Sequence, residues 1–140
     1  MSYFWPILVV IGANTVYNIC AKFTPNGVNA FASLFITYSV AAATVLALFF
    51  ITSPQKNLIT ALSQANWTAV VFGFSLVALE FGYIFIYRVG WNVSIGSLVA
   101  NIGLACILLV IGIVIFKESI NTTKVIGMLT CIIGLILINK

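Results

Sequence analysis

Five long apolar runs, each close to the ~20 residues a helix needs to cross a bilayer, dominate this chain. They cover about residues 4–21, 28–52, 67–87, 93–116 and 123–138, with short polar connections between them. Only 6% of the 140 residues are charged and 63% are hydrophobic, whereas a soluble domain carries about 25% charged residues. That excludes a soluble globular domain, a disordered chain and a disulfide scaffold. The expectation is an all-α integral membrane protein of five transmembrane helices, forming a single membrane domain over residues 1–140.

The flanks of the runs agree with this. The first run begins without a basic n-region or a cleavage site and reads as a span, not a removed signal peptide. Lys22 and the turn formers Pro25-Asn26-Gly27 end it, Arg88 closes the third run, and Lys117-Glu118 closes the fourth. Trp5, Trp67 and Trp91 each fall near a run end, where an amphipathic ring suits the headgroup level. The one sizeable polar stretch is 53–66. Ser53 can cap a helix, Pro54 fits its first turn, and Leu58, Ala61, Leu62 and Ala65 follow at helical spacing. A short interfacial helix over 54–65 is expected there, with an ordered loop as the alternative.

Several chemistries are excluded by what the chain lacks. It contains no His, and its three cysteines, Cys20, Cys106 and Cys131, lie inside apolar runs without metal-ligand spacing. They read as buried thiols acting as small hydrophobes. No metal site, cofactor or catalytic set is expected, and the chain does not read as an enzyme. The net charge of +4 comes from scattered Lys and Arg, so a nucleic-acid partner is not expected.

Orientation in the membrane depends on Lys and Arg in the loops. With five spans, Lys56, Lys117 and Lys124 fall on the N-terminal face and Lys22, Arg88 and Lys140 on the other, three against three. A chain without bias can insert both ways, which gives dual topology. The alternative is that a partner or Glu118 fixes one orientation. Gly127 and Gly134, with Cys131 between them, form a small-residue face on span five. Gly96, Ala100, Gly103 and Gly112 do the same on span four. Small residues let helix backbones approach closely in lipid. Spacing leaves open whether they pack within one chain or between two.

One acid lies far from water. Glu80 is thirteen residues after Trp67 and eight before Arg88, roughly 20 Å and 12 Å along a helix. A charge at that depth costs at least ~2.5 kcal/mol on insertion scales and marks a functional candidate. Gly73, Val77, Tyr83, Ile84 and Tyr87 share its helix face. Other spans carry polar faces of their own: Asn14, Tyr17 and Asn18 in span one, Ser33, Thr37 and Thr44 in span two, and Ser94, Ser97 and Asn101 in span four. Together these define a candidate site for substrate and proton: Glu80, Tyr83, Tyr87, Asn14, Tyr17, Asn18, Ser97 and Asn101. The competing reading makes Glu80 a neutral bridge between helices and lets Ser and Thr bond their own backbones.

The stretch Tyr87-Arg88-Val89-Gly90-Trp91, the segment 94–103, Phe116-Lys117-Glu118 and the run 127–134 between the paired glycines resemble the C-terminal part of an EamA-type domain of the drug/metabolite transporter superfamily. The Phe-Lys-Glu end of span four and the glycines of span five are also similar to small multidrug resistance transporters. The resemblance implies one half of a ten-helix inverted-repeat transporter, completed by an antiparallel homodimer or by a heterodimer with a paralogue. It implies a secondary transporter or exporter of small cationic or polar metabolites or drugs in a prokaryotic inner (plasma) membrane. The family's own coupling acid has no counterpart here, so the depth of Glu80 leaves two expectations open, proton coupling through Glu80 or transport without proton coupling. Gly127, Cys131 and Gly134 would then line the dimer interface. Two departures stand out. The essential span-one glutamate of the small multidrug transporters aligns with Asn14 here, and span four lacks the mid-helix proline of many EamA domains. The alternatives are a subunit of a lipid-linked sugar flippase and a non-transporting membrane assembly protein.

Overall fold

A computed structural model describes residues 4–53, 57–117 and 121–138. Every regular element among the described residues is helical: α1 (Trp5–Phe23), α2 (Ala30–Thr52), α3 (Leu58–Leu62), α4 (Trp67–Arg88), α5 (Val93–Val114) and α6 (Thr122–Ile138). The helices α1, α2, α4 and α5 have 19, 23, 22 and 22 residues and are long and apolar enough to cross a membrane. At 1.5 Å per residue they span roughly 28–35 Å, the thickness of a hydrocarbon core. These are the helices of a membrane-embedded, multi-pass protein. The expected fifth span, α6, has 17 residues and is shorter than the other four.

Local chemistry sets the helix ends. Pro6 lies in the first turn of α1, where its missing N–H costs nothing. Asn29 caps α2, its Oδ1 accepting from the backbone N–H groups of Phe31 at 2.9 Å and Ala32 at 3.4 Å. The helix therefore starts at Ala30, two residues later than the apolar run. The polar stretch after α2 also departs from expectation. Ser53 closes α2, its N–H donating to Phe49 O at 2.9 Å. Asn57 caps α3 by accepting from the Thr60 N–H at 3.3 Å, and α3 covers five residues, Leu58–Leu62, within the expected 54–65. Residues 54–56, with Pro54 and Lys56, lie outside the described residues, as do Glu118 and Lys140. At the far end of α5, the Ile115 and Phe116 N–H groups both donate to Ile111 O, at 2.8 and 3.4 Å. Lys117 then takes a left-handed backbone with φ 51°, which stops the helix short of residue 116.

The chain divides into two compact units, Met1–Arg88 and Val89–Lys140. In the first, α4 packs against both α1 and α2. Ala30, Leu34 and Ile84 form its buried core, with Tyr38 and Phe81 against them. The Phe31 and Phe81 rings stack at 4.9 Å, and Phe81 continues to Phe85 at 4.5 Å. In the second unit, α5 packs against α6. Elsewhere the large apolar side chains point outward, among them Phe35, Ile51, Phe72 and Phe74. Such a surface would aggregate in water and is suited to lipid. Two of the three thiols follow the same pattern: Cys20 and Cys131 are exposed, and Cys106 is partly so. The expectation of buried thiols is therefore corrected, because a small apolar group has no need of burial where the solvent is hydrocarbon.

Candidate functional site

Glu80 stands on α4 among groups drawn from α1 and α2. A cavity of about 90 Å³ opens beside it, with polar lining from Tyr17 of α1, Thr24 at the C-cap of α1, Ser33 and Thr37 of α2, and Glu80 itself. Cys20, Ala21, Leu34 and Ile84 complete the lining. The volume holds a few water molecules. Two buried hydroxyls near the carboxyl, those of Tyr17 and Tyr38, have no hydrogen-bond partner. Both interact electrostatically with Glu80. The Tyr38 hydroxyl lies beside the Glu80 carboxyl, without a hydrogen bond of normal geometry. Buried hydroxyls normally find a partner, and Glu80 is the acid to which both of these are turned electrostatically. The Tyr83 ring sets one side of the site, packing edge-on against Tyr17 at 5.4 Å and lying 6.2 Å from Tyr87.

Asn14, Asn18 and Tyr87 form a separate arrangement. Asn18 Nδ2 donates to Asn14 O at 2.7 Å and to Asn14 Oδ1 at 2.8 Å, while the Tyr87 hydroxyl donates to Asn18 Oδ1. Asn18 and Tyr87 are 5% and 4% exposed, so this relay is a closed polar clasp between α1 and α4. The Lys22 ammonium lies 5.9 Å from the centre of the Tyr87 ring. Below the clasp, Arg88 Nη2 donates to Pro25 O at 3.0 Å and Val28 O at 2.6 Å, tying the end of α4 to the α1–α2 turn. Of the expected site residues in this unit, Tyr17 and Glu80 share the cavity and Tyr83 buttresses Tyr17. Asn14, Asn18 and Tyr87 bond one another.

The remaining expected residues belong to the second unit. On α5, Asn101 Nδ2 donates to Ser97 O at 2.8 Å and to Ser97 Oγ at 3.2 Å. On α6, Gly127, Cys131 and Gly134 are surface positions, Gly134 only in part. A Cβ added at either glycine would meet nothing within 4 Å. No packing partner occupies that face among the described residues.

Most of the hydroxyls are satisfied at home. Thr37 donates to Ser33 O at 3.1 Å, Thr44 to Val40 O at 2.8 Å and Thr24 to Cys20 O at 3.1 Å, the back-bonding that lets a hydroxyl sit in an apolar helix. Tyr38 escapes a search for polar faces, because it does not share the Ser33–Thr37–Thr44 face. Its signal lies in the buried face of α2: Ala30, Leu34 and Tyr38 recur every four residues, the stripe that α4 covers. No family model matches the chain, and comparisons with curated proteins and with solved structures find no match either.

Proposed function

We propose that the chain is a secondary transporter of small cationic or polar solutes, with Glu80 as the group that holds substrate or proton in turn. One observation carries this reading. A carboxyl in the interior of a span-length apolar helix borders a cavity and lies beside two tyrosine hydroxyls that lack other partners. A purely structural acid would be expected to have hydrogen bonds filling its lone pairs, since an unsatisfied polar group in hydrocarbon costs several kcal/mol. A site that must accept and release a guest leaves donors and space beside the acid. One carboxylate cannot hold a proton and a cation at once, and that competition would couple their movements. Tyr17 and Tyr83 supply the aromatic wall, and the Asn14–Asn18–Tyr87 clasp fixes α1 against α4.

The working unit in this proposal is a pair of chains inserted in opposite directions in the cell membrane, each contributing five helices to a ten-helix inverted pair. The balanced loop charges support it, and so does the unoccupied glycine face of α6. The test is solute flux in proteoliposomes with and without a pH gradient. Glu80→Gln is expected to abolish the response to the gradient. Transport at unchanged rate and with unchanged pH response would assign Glu80 to structure alone.

A further inference from the structure

We infer that the cavity beside Glu80 takes a compact cation bearing N–H donors, a primary ammonium group on a short alkyl stem, in preference to a fully alkylated cation or a bare metal ion. This rests on the reading of Glu80 as the substrate carboxylate. The first ground is size. About 90 Å³ is well below the roughly 300–1,000 Å³ of pockets that enclose drug-sized molecules.

The second ground is the direction of the hydrogen bonds. Thr37 and Thr24 both line the cavity, and both turn their hydroxyl hydrogens back to helix carbonyls, Ser33 O and Cys20 O. What they can offer a guest is lone pairs only. An ionised Glu80 is likewise an acceptor only. The lining is therefore rich in acceptors around one negative charge, and the Tyr17 hydroxyl is free to donate to the carboxylate beside it. An ammonium group carries three donors and no acceptor, the complement of this set. A tetraalkylated nitrogen presents methyl groups to the same lone pairs and leaves them unsatisfied, a loss that discriminates far more strongly than shape alone.

The third ground is the apolar part of the lining. Ala21, Leu34 and Ile84 border the cavity, and Leu34 and Ile84 are buried. A short alkyl stem would cover these side chains, whereas a metal ion would leave them facing empty space. The Tyr17 ring, which borders the cavity and is backed edge-on by Tyr83 at 5.4 Å, adds π density of the kind that attracts cations.

The experiment compares methylammonium, tetramethylammonium and sodium chlorides, at equal ionic strength, for their effect on the unfolding temperature of the full chain in detergent. A ligand that binds the folded state raises that temperature with concentration. Methylammonium is expected to do so and the other two are not. Loss of a charge-assisted hydrogen bond should weaken methylammonium binding about 10- to 100-fold in Glu80→Gln. Thr37→Val, which keeps the shape and removes one acceptor, should weaken it about threefold or more. An equal shift from tetramethylammonium or sodium overturns the inference, as does a Glu80→Gln chain that responds like the parent. The two readings fail separately. Methylammonium binding without uptake into proteoliposomes would keep the ammonium site and discard transport. Glu80-dependent flux of another solute without methylammonium binding would keep transport and discard the ammonium site.

Discussion

The clasp between α1 and α4 offers the sharpest test of the structure around Glu80. Tyr87→Phe deletes one hydroxyl and nothing else. The hydroxyl donates to Asn18 Oδ1, and both residues are about 95% covered, at 4% and 5% exposure. No water can replace the lost donor, so Asn18 Oδ1 is left without it. Hydrogen bonds between membrane helices average about 0.6 kcal/mol in double-mutant cycles and reach about 1.7. Burial at both ends puts this one in the upper half of that range, so Tyr87→Phe should cost about 1 kcal/mol, roughly a fivefold change in the unfolding constant. Asn18→Leu should cost more, because it also removes the two bonds from Asn18 Nδ2 to Asn14.

The assay is a double-mutant cycle between Tyr87→Phe and Asn18→Leu, with unfolding followed by steric trapping in bicelles. The pair should not be additive, with a coupling of about 0.6–1.7 kcal/mol. A coupling within about 0.3 kcal/mol of zero would mean the hydroxyl does not reach Asn18. The α1–α4 register would then be wrong, and with it the placement of Tyr17 beside Glu80.

Arg88→Gln should loosen the α1–α2 turn, because it removes the donor to Pro25 O and Val28 O. A cost of about 1 kcal/mol and faster amide exchange across 24–29 are expected, and unchanged exchange would refute the tie. Gly134→Leu should weaken self-association several-fold in a dilution-series energy-transfer measurement, since the added side chain fills a face that is open in the single chain. A dimer of unchanged affinity would remove that face of α6 from the interface. Lys124→Ala changes the loop charges from three against three to two against three. It should shift a mixed population toward one orientation, read by labelling a single introduced cysteine from each side of the membrane, and an unmoved ratio would show that charge balance does not set the topology.

Much of the fold could be read from hydrophobic run length, because hydrocarbon forces the backbone to satisfy itself within each segment. Four spans appear within a few residues of the runs. The ends differ where a single hydrogen bond decides them. Asn29 is polar enough to cap but sits inside an apolar run, so the start of α2 falls at Ala30. Ser53 is a good cap by residue type, its N–H continues the α2 ladder to Phe49, and Asn57 caps α3. Glu80 was legible because an acid deep in hydrocarbon has few explanations. Its neighbours were only half legible. Helical spacing groups residues on one helix and says nothing of which helix lies opposite. Hence Tyr17 and Glu80 meet as expected from their polarity, while Asn18 and Tyr87 satisfy each other and Tyr38 enters from the core stripe.

The length of α6 and the proposed pairing are linked through one lysine. Seventeen residues rise about 25 Å, a few ångströms less than a hydrocarbon core of about 30 Å. If α6 crosses, Lys140 faces away from Lys56, Lys117 and Lys124, and the charges balance. If α6 lies along the interface instead, Lys140 joins them, the tally becomes four against two, and the positive-inside rule fixes a single orientation. Opposite insertion therefore requires α6 to cross. A short span is accommodated by local thinning, by snorkelling of flanking residues or by oligomerising. Oligomerising is the route that the open faces of Gly127 and Gly134 suit, because backbones brought close gain contacts that lipid cannot supply. In this account the second chain makes the short helix tolerable, and the crossing of that helix keeps the charges balanced enough for the second chain to insert the other way.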